Sequence, residues 1–216
     1  MSELHDEVLD ASTRRVFKNL GGQPELAGFY LAGGTGAALH LGHRRSDDLD
    51  LFSERPWAWE RVGTALSAAG AVDVDRLEPG TFVGAVNGVR VSLFHYPNVL
   101  LEEPATTSSG LPVAGLVDIG CMKLVAVAQR GSRKDFIDLY YLGREGITIR
   151  ELLRLLARKM PGIEHNPVHV LRSLAFFEDA EDEPDPVMLV PYRWADVRRY
   201  CLEQADALLE EIAGQA

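Results

Sequence analysis

Cysteine is scarce in this chain of 216 residues: Cys121 and Cys201 stand far apart, and neither lies in a CxxC or CxxH setting. A disulfide framework and a thiolate zinc site are therefore not expected, and both cysteines read as small buried residues. Long apolar runs are missing as well. None reaches the roughly 18 residues of a membrane span, and the first twenty residues alternate charged with apolar side chains where a signal peptide needs an unbroken apolar core. A cytoplasmic protein without a membrane partner is expected. Positive charge is also short, because 22 Lys and Arg face 32 Asp and Glu for a net charge of −10. A surface that grips nucleic acid non-specifically is thereby excluded, since phosphate contacts need clustered cations. Any RNA contact must use a local patch. Residues 130–159 provide one candidate, with Arg130, Arg133, Lys134, Arg144, Arg150, Arg154, Arg158 and Lys159 against four acids; a solvated helix face is the competing reading.

What is present is an ordinary globular composition, 46% hydrophobic, and two halves of different character. Val8, Leu9, Val16, Phe17 and Leu20 recur at mostly helical spacing, so a helix leads the chain. "GFYLAGG" reads as a short buried strand ending in a glycine turn, "TGAALHLG" as a short helix with Thr35 near its start and Gly42 as its stop, and "DDLDLF" as a strand. "WAWERVGTALSAAGA" is an amphipathic helix, and "TFVGAVNGVRVSLFHYP" is two strands joined at Asn87-Gly88, a strong hairpin signal. From Leu116 onward the patterns are helical, interrupted by the acidic, proline-punctuated "FFEDAEDEPDPVMLVPYRW" before a last helix from about Trp194 to Ile212. The expected organisation is an α/β core over residues 1–115 and a helical region over 116–216 that packs on it and completes its site.

The stretch Phe29–Phe52 carries the chemistry. A dinucleotide fingerprint, G-x-G-x-x-G, matches at Gly34 and Gly36 but meets Leu39 at its third position. A P-loop fails for want of Gly-Lys-Ser/Thr. The acids offer a third reading: on a strand Asp48 and Asp50 share one face while Leu49 and Leu51 point into the core. Two carboxylates on one face need a neutralising cation, and hard oxygen ligands suit Mg²⁺, which also binds substrate phosphates. The glycine turn and helix start just upstream supply backbone N–H groups for a phosphate tail. Together they describe a nucleotidyltransferase.

Gly33-Gly34-Thr35 followed by Arg44-Arg45-Ser46-Asp47-Asp48-Leu49-Asp50 resembles the first motif of the polymerase-beta-like nucleotidyltransferase superfamily, and more closely that of the AbiEii/AbiGii toxin family, GG-T then R-x-S-x-D-x-D. "DIGCMKLVAVAQRGSRKDFIDLYYL" resembles that family's later motif, a lysine on one helix and an aspartate on the next, at Lys123 and Asp138. The likeness spans most of residues 27–200. It implies an α+β fold, a small mixed sheet flanked by helices followed by a mainly helical C-terminal half. It also implies an enzyme that transfers NMP from an NTP to an acceptor, the 3′ end of tRNA in the toxins, under the restraint of an antitoxin protein. By the same resemblance Asp48, Asp50, Lys123 and Asp138 are catalytic and Asp48 and Asp50 hold one or two Mg²⁺ ions. Gly33, Gly34, Thr35, Arg44 and Ser46 bind the nucleotide. The candidate contact for such a tRNA is the local basic patch read from charge alone, Arg130, Arg133, Lys134, Arg150, Arg154 and Arg158.

Each assignment has a rival. Lys123 can snorkel from an apolar helix, Asp138 can be a surface charge, and Arg44 can balance Asp47 and Asp48 as well as bind phosphate. Arg130, Lys134 and Asp135 are second-tier candidates. His40 and His43 lack a third zinc ligand. Many polymerase-beta-like enzymes place a third carboxylate on a following strand, where this chain has Ser92. Two other functions therefore stay open: transfer to a small molecule or protein, and a catalytically inactive binding module that uses the acidic loop Glu178 to Asp185.

Overall fold

The computed structural model describes residues 4–214. The chain divides into two compact units, Met1–Gly115 and Leu116–Ala216. The first is a mixed sheet flanked by helices and the second is helical, so the chain has the expected α+β composition.

In the first unit, α1 (Ala11–Gly21) starts where Asp10 accepts a hydrogen bond from the Thr13 amide at 2.6 Å, satisfying a first-turn donor. Its Val16, Phe17 and Leu20 make the buried stripe. β1 (Phe29–Leu31) leads directly into α2 (Gly33–Leu41), followed by β2 (Leu49–Ser53), α3 (Trp59–Ala69), β3 (Val72–Glu78), β4 (Thr81–Val86) and β5 (Val89–His95). The β4–β5 hairpin turns at Asn87-Gly88 with positive φ at both residues, the backbone that a tight hairpin turn requires. The sheet runs β1-β2-β5-β4-β3, antiparallel except for the parallel β2–β5 pair.

One face of this sheet is the core. Leu49 and Leu51 of β2 and Val91 and Leu93 of β5, all fully buried, join a cluster with Val16, Phe17 and Leu20 of α1 and Val62 and Leu66 of α3. Each such side chain contributes roughly 1.5–3 kcal/mol on burial. A slip of one residue would exchange these leucines for acids, so the pattern fixes the register and holds Asp50 on the opposite face. Across the parallel pair Asp50 stands directly opposite Ser92.

β3 is a strand that the sequence reading left out. It is the sheet's outer edge and almost wholly exposed, with Val74 and Leu77 open to solvent. Because it buries no face, its acids and Arg76 resemble a loop rather than a strand.

The second unit comprises α4 (Leu116–Gln129), α5 (Arg133–Arg144), α6 (Ile149–Lys159), α7 (Pro167–Leu174), the single turn α8 (Glu178–Glu181) and α9 (Trp194–Gly214). α4 packs against α5, α6 and α7, and α9 against the same three. Phe136, Phe177 and Trp194 form an aromatic cluster with ring separations of 5.0–6.0 Å. Both cysteines are buried and free, as expected. Among the described residues no helix is long and apolar enough to cross a membrane.

Candidate active site

At the start of α2 the chain presents bare backbone. Ala32 is the residue before the helix and gives it no side-chain cap, so first-turn N–H groups of Gly33, Gly34 and Thr35 are left for a ligand. The backbone demands glycine at position 33, and Gly34 lies close against the Arg44 guanidinium. Gly33 has φ +64°, and a Cβ there would lie 3.0 Å from Asp50 Oδ2. A Cβ on Gly34 would meet an Arg44 guanidinium nitrogen at 2.8 Å.

The acids are stitched to this turn through the backbone. The Ala32 amide donates to the Asp50 carbonyl at 3.1 Å. The Thr35 hydroxyl bonds the Asp48 carbonyl and lies 2.8 Å from the Ser46 hydroxyl. With one proton on Thr35, donation to the carbonyl leaves its oxygen to accept from Ser46. Asp48 immediately precedes β2 rather than lying within it, and its carboxylate has no hydrogen-bond or ion-pair partner among the described residues. Arg44 is 3% exposed and runs beneath the turn, donating to the Gly34 carbonyl at 3.3 Å and to the Arg45 carbonyl at 3.1 Å. Gly33, Gly34, Thr35, Arg44, Ser46, Asp48 and Asp50 thus converge at one end of the sheet. His40 spends its Nε2 on the Ala114 carbonyl at 2.9 Å, and burial lowers its pKa, so it serves as a neutral structural group.

The helical unit carries a second polar cluster. Lys123 Nζ on α4 lies 2.6 Å from Asp135 and 2.6 Å from Asp138, both on α5, with the carboxylates completely buried. Arg130 donates to Asp135 through Nε at 2.9 Å and through Nη2 at 3.3 Å, and the Ser132 hydroxyl adds a bond of 2.9 Å. Burial opposes ionisation of Asp135, yet the Lys123 ammonium and the Arg130 guanidinium outweigh it and hold the carboxyl below the ordinary aspartate range. Two cations and two carboxylates cancel here. The snorkelling alternative for Lys123 and the surface alternative for Asp138 are both excluded by this burial. Asp135, a second-tier candidate by sequence, is the most heavily bonded member; its spacing of three residues from Asp138, which sets both on one face of α5, was the available signal.

The basic patch needs correction. Lys159 is fully buried, facing inward with Leu152 and Leu156 of α6 and pairing with the equally buried Asp118 at 2.6 Å. Arg133 lies against the acidic loop, bonding the Glu183 carbonyl and Asp185 at 2.9 Å each, while its amide donates to Glu183 at 2.8 Å. Arg150 is held by both oxygens of Glu211. Lys134, Arg154 and Arg158 remain exposed. The same bonds occupy the acidic loop: Glu181 takes Arg198 at 2.8 Å, and Tyr192 donates to Asp185.

Residues 89–212 match the model of the nucleotidyl transferase AbiEii toxin of type IV toxin–antitoxin systems. The chain belongs to this AbiEii family. A nucleotidyltransferase activity and a toxin–antitoxin context come with that membership. The matched segment includes Ser92, Lys123, Asp135 and Asp138. An uncharacterized protein of Aquifex aeolicus (strain VF5) is 37% identical over 186 residues, 84% of this chain and 88% of its own. Among solved structures, MenT4, a nucleotidyltransferase toxin of Mycobacterium tuberculosis H37Rv, superposes with a TM-score of 0.58 over 91% of this chain and 84% of its own. At 15% identity that likeness is one of fold. The AbiEii chain thus shares the nucleotidyltransferase toxin architecture that its first motif implies.

Proposed function

We propose that this AbiEii-family chain is a Mg²⁺-dependent enzyme that transfers a nucleoside monophosphate from an NTP to the 3′ end of an RNA, with tRNA as the acceptor, in the cytoplasm. The observation that carries the reading is the junction of an uncapped glycine helix start with Asp48 and Asp50.

The donor set fits the ion. Asp50 lies beside a glycine whose Cβ would crowd the carboxylate, and the Asp48 carboxylate is partly exposed, so two hard oxygen donors of the kind that suits Mg²⁺ stand by the glycine turn. Asp48 and Asp50 would hold Mg²⁺, which would supply charge neutralisation for the triphosphate and polarise the α-phosphoryl group. The chain's own residues position the reactants. The Gly33, Gly34 and Thr35 amides bind phosphate oxygens, while Arg44 braces the turn from beneath and Ser46 fixes Thr35. The acceptor's terminal hydroxyl oxygen forms the new bond to the α-phosphorus as the bond to pyrophosphate breaks, and the hydroxyl proton passes to solvent or a carboxylate. Through the family's later motif Lys123, held between Asp135 and Asp138, is assigned to transfer as a fixed ammonium. Its charge is largely balanced, so positioning outweighs attraction.

Support for RNA as acceptor is the exposed cations Lys134, on α5, and Arg154 and Arg158, one turn apart on α6. The net charge of −10 favours a small-molecule or protein acceptor as the second reading. An inactive module that docks through Glu178–Asp185 is disfavoured, because Glu181, Glu183 and Asp185 already bond Arg133, Arg198 and Tyr192.

The test incubates the protein with Mg²⁺, each α-labelled NTP and total bacterial RNA, with Asp48→Ala as control. Label in an RNA band from the intact protein alone is expected. Label on protein or on a small molecule would move the acceptor, and failure to bind nucleotide would overturn the proposal.

A further inference from the structure

The helical unit has a concave feature to which none of these roles extends. A cleft of 360 Å³ opens between the end of α4 and α7, and its lining includes Val127, Arg130, Arg172, Ser173, Phe176 and Asp179. Phe176 leaves 54% of its surface open, whereas the neighbouring Phe177 is buried against Phe136 at 5.0 Å. The exposed guanidinium of Arg172 and the exposed carboxylate of Asp179 make no hydrogen bond or ion pair among the described residues. An open aromatic face, an unpaired cation and an unpaired acceptor therefore border one cavity. Its volume falls within the roughly 300–1,000 Å³ of small-ligand sites. Arg130 lines the same cleft and bonds Asp135, which in turn bonds Lys123, so the cleft adjoins the buried ion cluster.

We propose that this cleft receives one unstacked nucleotide of a single-stranded RNA acceptor; the inference rests on the reading that the acceptor is RNA. The base stacks on Phe176, a contact that any base can make. The planar guanidinium of Arg172 pairs with the nucleotide's phosphate, and Asp179 accepts from an exocyclic amine, which favours bases that carry one. A single apolar side chain of a protein would use the apolar wall but leave Arg172 unanswered. A free nucleotide shares the chemistry of the RNA, and the experiment separates the two.

Binding of a 5′-fluorescein single-stranded RNA oligonucleotide to the full chain is measured by anisotropy, and NTP binding is measured separately by calorimetry. Phe176→Ala and Arg172→Glu are each expected to weaken RNA binding about tenfold or more, Phe176→Trp to retain it, and all three to leave NTP affinity unchanged. RNA binding by both weakening variants equal to wild type would overturn the assignment while leaving the transferase reading intact. Equal loss of NTP binding would overturn it in favour of the donor nucleotide. A wild-type chain that binds NTP but no RNA would remove the RNA acceptor and this cleft together.

Discussion

Replacing Lys123 by Met keeps the length and most of the volume of the side chain and deletes one charge. Asp135 and Asp138, with fully buried carboxylates, each lose a contact of 2.6 Å. Asp135 retains Arg130 and Ser132, so part of its charge stays compensated. Removing one partner from a buried pair costs about 3–5 kcal/mol. For a unit the size of Leu116–Ala216 that lowers the melting midpoint on the order of 10–20 °C.

The pH dependence carries its own sign. The wild-type Asp135 pKa lies below 3.8, so its stabilisation is present above the unfolded value and disappears as pH falls through the folded one. In the variant, burial is opposed by less positive charge and the folded pKa rises. Protonation then relieves the stranded carboxylate, and the stability gap between the two proteins narrows from pH 7 towards pH 4. Urea unfolding at several pH values measures it. A gap under about 1 kcal/mol at pH 7, or one constant with pH, would refute the balanced-cluster account. The double variant Lys123→Met/Asp138→Asn is expected to recover part of the loss, because the stranded charge on Asp138 goes with the cation. If the recovered protein folds yet transfers no nucleotide, the role of the Lys123–Asp138 pair extends beyond structure.

Asp48→Asn changes a partly exposed carboxylate without a protein partner, so its melting midpoint should stay within about 2 °C of wild type while NMP transfer falls at least about 100-fold; retained transfer in a labelling assay would exclude Asp48 from the site. Gly33→Ala imposes a side chain at φ +64°, at a cost of about 1–2 kcal/mol by thermal melting, and pushes on Asp50, so transfer should fall more than stability alone explains. Lys159→Met strands Asp118 and should destabilise by about 3–5 kcal/mol. RNA affinity of that folded variant, measured at low temperature, should be unchanged, because Lys159 is not on the surface; loss of RNA binding there would reopen the patch.

Much of the first unit was legible because its signals are local. Asn87-Gly88 has little choice but to turn, and Leu49 and Leu51 alternate with the acids so regularly that face and register follow. The glycine turn could be read for the same reason, since its chemistry lies within a few residues. β3 was not legible, because an edge strand that buries nothing carries no apolar alternation to detect. α7 was missed despite its mark: Asn166 accepts from the Val168 and His169 amides, and Pro167 occupies the first turn. The pairing of Asp118 with Lys159 joins residues 41 apart on different helices, and no local pattern announces it. Lys159 therefore reads as one more surface cation in a basic run. Arg133 and Arg150 mislead in the same way, since their neutralising acids come from distant segments.

The hydroxyl of Thr35 has a wider consequence. By joining the first turn of α2 to the carbonyl of Asp48 and to Ser46, it makes the span between the phosphate cradle and the carboxylates a fixed length. On the proposed reading a triphosphate measured against that span is recognised by its tail, because the residues that set the span touch backbone and one another. Discrimination between purine and pyrimidine must then reside outside Gly33–Asp50. Evolution can alter which nucleotide is chosen without disturbing the part that grips it.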